Sequence, residues 1–128
     1  MSSNELMIGD YLLYGNLIVK VDMLRDNNIS VVYNDSASLW FSTKYDGIYS
    51  YDINDLKPLE LTKEMLLNNE FKFTDPWYVN ENCSMEIKKG ENGKWIASKT
   101  GYLSISFNYV YELQHAMKLF NIKLEIVI

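Results

Sequence analysis

The stretch Asn108–Ile128, NYVYELQHAMKLFNIKLEIVI, carries the one long helical pattern in the chain. Asn108 has the side chain of a good N-cap, able to accept a free backbone N–H of the first turn. Val110, Leu113, Met117 and Phe120 recur at spacings of three, four and three, which draws a single apolar stripe along a helix. Ala116 lies near the same face, where its small size allows close packing. Glu112, Gln114 and Lys118 fall on the water side. Asn121 suits the left-handed position that follows a helix, and it leaves Leu124 and Ile126 to form a last strand. The β elements before this helix are expected to pack on its apolar face.

Working back from the helix, short strands dominate. Leu103, Ile105 and Phe107 alternate with Ser104 and Ser106, and Lys94–Ser98 precedes them across a Thr100-Gly101 turn. Cys83, Met85 and Ile87 alternate with Ser84, Glu86 and Lys88, and Gly90–Gly93 makes the hairpin between. These three strands read as an antiparallel meander. Asp75-Pro76 turns the chain before Trp77-Tyr78-Val79. Further back, Thr62 caps a short helix, Glu64 stands in its first turn, and Leu61 with Leu66 makes a hydrophobic staple. Asn68-Asn69 ends that helix, and Phe71 and Phe73 lead into the second half.

The first sixty residues hold five strand signals. Tyr11–Tyr14 turns at Gly15-Asn16, a type II′ hairpin signal, into Leu17–Met23. There Val19, Val21 and Met23 alternate with Lys20 and Asp22. Asp26-Asn27-Asn28 turns into Ile29, Val31 and Tyr33, and Asn34-Asp35-Ser36 turns into Leu39-Trp40-Phe41. Asp46-Gly47 then turns the chain towards Tyr49 and Tyr51. Ile53–Leu59 leads out, with Pro58 stopping regular pairing. The expected class is α+β and β-rich: an N-terminal SH3-like curled antiparallel sheet, a short middle helix, and a C-terminal antiparallel meander packed with one amphipathic helix. Residues 1–128 form one domain, with candidate lobes at 1–60 and 61–128.

Composition narrows the function. The chain carries a net charge of −5, with a single Arg, Arg25, and eleven scattered Lys. That disfavours general nucleic-acid binding, which needs clustered cations, and equally an acidic partner or an anionic membrane. One cysteine, Cys83, forms no internal disulfide and fits a reducing compartment. The N-terminus has neither a basic leader nor an unbroken apolar span. A cytoplasmic protein is expected.

Nothing in the chain reads as catalytic machinery. His115 is the lone histidine, one turn after Tyr111 on the C-terminal helix, and it reads as a half-exposed helix residue. Without a second His or Cys at ligand spacing, no His- or Cys-based zinc site is expected. Cys83 reads as a small buried apolar residue at the start of its strand. Asp52 with Asp55, and Asp22 with Asp26, fall at turns and strand ends, where Asp serves the backbone; a Mg²⁺ site of one or two carboxylates leaves little signature in a sequence. The reading is a non-enzyme with no cofactor.

Ten Tyr, five Phe and three Trp are many for 128 residues. Tyr45, Tyr49 and Tyr51 gather around the Asp46-Gly47 turn among polar residues. They either contact a partner or cover the edge of a small barrel, since tyrosine serves both purposes. Trp40, Tyr111 and His115 complete the set of candidate binding residues.

Three segments resemble a family of small hypothetical proteins carried by Bacteroides-type bacteria and their phages and prophages: Glu5–Tyr11; Lys57–Leu67 with Phe71; and Tyr109–Gln114 with Leu124–Ile126. The similar proteins usually have Gly where this chain has Glu70, His where it has Tyr111, and a Gly-containing turn where it has Asn121. No activity is assigned to the family, so the resemblance implies a setting and no catalytic residue: a phage or mobile-element accessory protein in a bacterial host cytoplasm. Two functions stay open. One is non-enzymatic binding to a host or phage protein, with modulation of host defence as the context. The other is sequestration of a nucleotide signal between subunits of a homo-oligomer, with aromatic rings on bases and Lys44, Lys57, Lys94 or Lys99 on phosphates.

Overall fold

Gly15 takes a φ of 59°, which lets β1 (Tyr11–Tyr14) turn in two residues into β2 (Leu17–Arg25). The computed structural model describes residues 5–34, 37–44, 50–99 and 104–128. These fall into two compact units, Met1–Leu59 and Glu60–Ile128. The expected Asp46-Gly47 turn, together with Tyr45, Tyr49 and Leu103, lies outside the described residues.

In the first unit β3 (Asn28–Tyr33), β4 (Ala37–Ser42), β5 (Tyr51–Asp52) and β6 (Leu56–Pro58) extend the hairpin into a six-stranded sheet of order β5-β4-β3-β2-β1-β6. β5 and β6 are opposite edges, yet only the 3-10 turn Ile53–Asp55 separates them. Three residues rising about 2 Å each cannot cross a flat sheet, so the sheet curls until its edges approach. Leu12, Val19, Val21, Ile29, Val31 and Phe41 are buried on the inner face, each at 1 % exposure or less.

Three details of this unit differ from the sequence reading. β5 pairs parallel to β4, so the sheet is mixed at that edge. Pro58 does not stop pairing: it stands opposite Leu12 in β6. An edge strand tolerates proline, since one side of its backbone has no ladder to feed. Met23 does not share the face of Val19 and Val21. The register shifts between Val21 and Met23, so that Val21 opposes Val31 and Met23 opposes Ser30. The extra residue, Asp22, turns Met23 outward, where it is 38 % exposed.

The second unit runs α1 (Lys63–Asn68), β7 (Lys72–Thr74), β8 (Trp77–Asn80), β9 (Met85–Lys89), β10 (Trp95–Lys99), β11 (Ser104–Phe107) and α2 (Val110–Leu119). Its sheet is antiparallel, of order β11-β10-β9-β8-β7, so β7 and β8 widen the expected meander to five strands. Thr62 caps α1 through Met65 N–H at 3.3 Å. Val110, Leu113, Ala116 and Met117 of α2 are buried, as are Met85, Ile87, Ala97, Trp95 and Phe107 on one face of the sheet. These apolar surfaces, with buried Leu61, Leu66, Phe71, Ile122 and Ile126, make the core of the unit.

The ends of α2 refine the opening stretch. The N-cap is Tyr109, not Asn108. Glu112 bends back, and its Oε1 accepts the N–H groups of both Asn108 and Tyr109 at 3.2 Å; Glu112 is half-buried rather than on the water side, and so is Gln114. Asn121 has a φ of 58°, and Asn121 and Ile122 donate back to the carbonyls of Lys118 and Met117 at 3.1 and 2.8 Å, which is a Schellman closure. Leu124 and Ile126 form no strand. Ile126 is buried at 5 % exposure, but the tail is held by a side chain rather than a ladder. Cys83 also lies outside its expected strand, in the turn before Met85. Ser84 there takes a φ of 57°, which breaks the alternation.

Candidate functional site

The Asp22 bulge decides what the outer face of the first sheet presents. Without it, Lys20, Asp22 and Leu24 would share that face. With it, the face carries Lys20, Met23 and Arg25. The cross-strand rows then read Lys20–Val32–Ser38, Met23–Ser30–Trp40 and Arg25–Asn28–Ser42. On the other side of β2, Tyr11 opposes Lys20, and Leu13 opposes both Ile18 and Lys57. The Arg25 guanidinium lies over the Trp40 ring at 5.4 Å, and the Lys20 ammonium over Tyr11 at 5.6 Å. Such contacts contribute about 0.5–1 kcal/mol at exposed sites, and they hold a long cationic side chain in place. Ser30 is buried between its taller neighbours, whereas Met23 and Ile18 stay 38 % and 39 % exposed.

Tyr51 lies elsewhere. It stands opposite Phe41 in the parallel pairing of β5 with β4, so it points to the face that Trp40 turns away from. Tyr14, Phe41 and Tyr51 make a triangle of rings with centroids 5.1 to 5.4 Å apart. Phe41 is fully buried beneath, and Tyr51 is 45 % exposed. Burial pushes the Tyr14 phenol above its usual pKa, with smaller contributions from Tyr51 and Asp55. Asp52 serves the backbone, its Oδ1 accepting Asn54 N–H at 2.9 Å to cap the 3-10 turn.

Tyr111 and His115 belong to α2 in the second unit. Their rings meet edge to face at 5.5 Å, and Tyr109 stacks parallel to Tyr111 at 6.2 Å. Both candidates are half-buried, so the pair is an aromatic cluster on the helix.

A cleft of about 460 Å³ in the second unit is bordered by Cys83, Lys99, Lys123 and Asn121. The Lys99 ammonium donates to the carbonyl of Phe120 at 3.1 Å, at the negative end of α2. Burial raises the Cys83 thiol above its ordinary pKa. Backbone N–H groups of Met85 and Cys83 itself, and Lys99, offset part of that. The protonated thiol is a poor nucleophile. Among the described residues no group of three or more His, Cys, Asp or Glu side chains could hold a metal ion, and no described helix is long and apolar enough to cross a membrane.

The described candidates therefore fall into three places: Trp40 on the outer face of the first sheet, Tyr51 at its β5 edge, and Tyr111 with His115 on α2. Tyr45 and Tyr49 lie outside the described residues. Sequence reasoning missed Arg25 and Met23 beside Trp40, because a bulge leaves no mark in an alternating pattern. It missed Tyr14 and Phe41 beside Tyr51, because their meeting depends on the curl of the sheet. In the comparisons with known proteins, no family model, no curated protein and no solved structure matches the chain.

Proposed function

We propose that the chain is a non-enzymatic binding protein of a phage or mobile element, and that it engages a host or phage protein through the outer face of its first sheet. The observation that carries this reading is half-buried Trp40 on the outer sheet face with exposed Arg25 over its ring and exposed Met23 in its cross-strand row. Trp and Arg are the side chains most often found at the energetic centre of protein interfaces. Here they are preorganised: Trp40 stands on a paired strand, and Arg25 rests on its ring, so little freedom is left to lose on binding. Met23 beside them supplies adaptable apolar contact.

The setting rests on the three segments that resemble proteins of Bacteroides-type bacteria and their phages. Two backbone facts support that likeness. Glu70 and Asn121 stand where the similar proteins carry Gly, and both adopt left-handed backbone, with φ of 69° and 58°. The reading places the protein in a bacterial host cytoplasm, where a small binding module would act on a host pathway such as defence. We also read the first unit as a small SH3-like barrel. Its opposite sheet edges are joined through a single 3-10 turn, and such barrels commonly present aromatic surfaces to partners.

The test is capture from host lysate by wild type, Trp40→Ala and Tyr51→Ala, each shown to be folded by circular dichroism. Loss of a captured protein in Trp40→Ala, with retention in Tyr51→Ala, is the expected result. Equal capture by wild type and Trp40→Ala would overturn the outer face as the site.

A further inference from the structure

We infer that the partner's contact on this face is an extended, acidic protein segment of pattern acid–x–apolar–x–acid. This deepens the binding reading above and rests on it. The protein as a whole is acidic, at −5, yet the outer face carries Lys20, Arg25 and Lys57 in its register rows. Of the nearby acids, Asp52 ends the Arg25 row at the β5 edge with its carboxylate capping the 3-10 turn, Asp22 is the exposed extra residue of the bulge, and Asp26 is exposed in the turn after Arg25. Lys20 and Arg25 lie against rings, a contact that holds the cation without neutralising it. A cationic, partly apolar face on an anionic protein selects an anionic partner and speeds its approach.

The spacing sets the pattern. Lys20, Met23 and Arg25 stand opposite Val32, Ser30 and Asn28 of β3, which is unbulged there. Val32 to Asn28 is four residues of strand, roughly 13 Å at about 3.3 Å each. An extended partner segment has the same rise, and its residues i, i+2 and i+4 face one way. Carboxylates at i and i+4 then meet Lys20 and Arg25, while an apolar side chain at i+2 meets Met23 and Trp40. The bulge creates this grouping, since it replaces Asp22 and Leu24 on the face by Met23 and Arg25.

The probe is a fluorescein-labelled peptide with Glu-Ser-Leu-Ser-Glu between Gly-Ser flanks, titrated by anisotropy against the full chain. Saturable binding is expected, weakening severalfold between about 50 and about 500 mM NaCl as the charges are screened. Lys20→Glu and Arg25→Glu should each weaken it by roughly tenfold, and a peptide with both Glu replaced by Lys should not bind. Absence of saturable binding by the acidic peptide, or equal binding by the Lys20→Glu/Arg25→Glu double variant, overturns the proposal. Tighter binding of an oligothymidine than of the peptide also overturns it, and marks a nucleic-acid site instead. Lysate capture separates the two layers. A partner lost by Trp40→Ala but kept by the double variant leaves the binding reading standing without the acidic segment. A partner kept by both removes the two together.

Discussion

Asn69 holds Val127 with both ends of its side-chain amide: Oδ1 accepts the Val127 N–H at 2.7 Å, and Nδ2 donates to the Val127 carbonyl at 2.9 Å. Those are the two bonds a neighbouring strand would make, supplied by one side chain across 58 residues of sequence. The same Nδ2 donates to the Met65 carbonyl at 2.7 Å, and the Asn69 carbonyl accepts from buried Asn80 at 3.2 Å. Asn69 therefore closes α1, anchors the C-terminal tail and joins a buried amide pair. Asn69→Leu leaves the Val127 and Met65 groups unmatched, keeps the backbone carbonyl that Asn80 bonds, and is expected to cost about 2–3 kcal/mol in urea denaturation. Removing Val127 and Ile128 should cost clearly less in the Asn69→Leu background than in wild type, because the tail is then already released. Full additivity of the two changes would show that the clasp does not hold the tail.

Glu70, the next residue, pays a conformational penalty. Its φ of 69° allows Phe71 N–H to reach back to the Leu66 carbonyl at 3.1 Å. An L-residue is strained in that conformation, and glycine is not. Glu70→Gly loses an exposed bond from Asn82 Nδ2 to Glu70 Oε2, which contributes little. A net gain of about 0.5–1 kcal/mol is expected, seen as a rise in melting temperature. Glu70→Val should move it the other way. A lower melting temperature for Glu70→Gly would mean that the Asn82 bond outweighs the backbone strain.

The bulge at Asp22 makes a sharp contrast between two apolar residues two positions apart. Val21 is 1 % exposed and Met23 is 38 % exposed. Val21→Lys buries an ammonium with no partner and is expected to unfold the first unit or to cost more than about 3 kcal/mol. Met23→Lys lets the ammonium reach water and should change stability by no more than about 0.5 kcal/mol. Chemical denaturation of the two variants decides the matter. Similar losses in both would place Met23 in the core and remove the bulge.

The sequence announced what repeats locally and hid what depends on register or closure. The α2 stripe of Val110, Leu113 and Met117, the Thr62 cap and the left-handed Asn121 were all legible, because each is a side-chain pattern within one element. The Glu112 cap was missed, because Asn108 offered a plainer signal one position earlier. β6 was missed because its Pro58 looks like a terminator until an edge position makes it harmless. The Trp40 cluster depends on one unpaired residue in β2, and the Tyr14–Phe41–Tyr51 triangle depends on strands far apart in sequence. Neither leaves a periodic trace. The Asn69–Val127 clasp shows the same limit, since an asparagine near a helix end reads first as a stop signal.

That aromatic triangle also makes stability depend on pH at the alkaline end. Burial favours the neutral Tyr14 phenol, and Tyr51 and Asp55 nearby favour it further, so its pKa in the folded protein lies above the usual value. As pH rises through about 10, the tyrosine of the unfolded chain loses its proton first. The folded state then binds more protons than the unfolded one, and stability falls with pH. This contribution is fully present below the unfolded pKa and is lost as pH climbs through the folded one. Tyr14→Phe removes the titration but keeps the ring against Phe41 and Tyr51. Urea midpoints of wild type and variant should therefore nearly agree at about pH 8 and separate at about pH 10.5, with the variant the more stable. The tyrosines outside this triangle are common to both proteins and cancel in the difference. A constant gap between the two curves across that range would mean that Tyr14 titrates alike in the folded and unfolded chains.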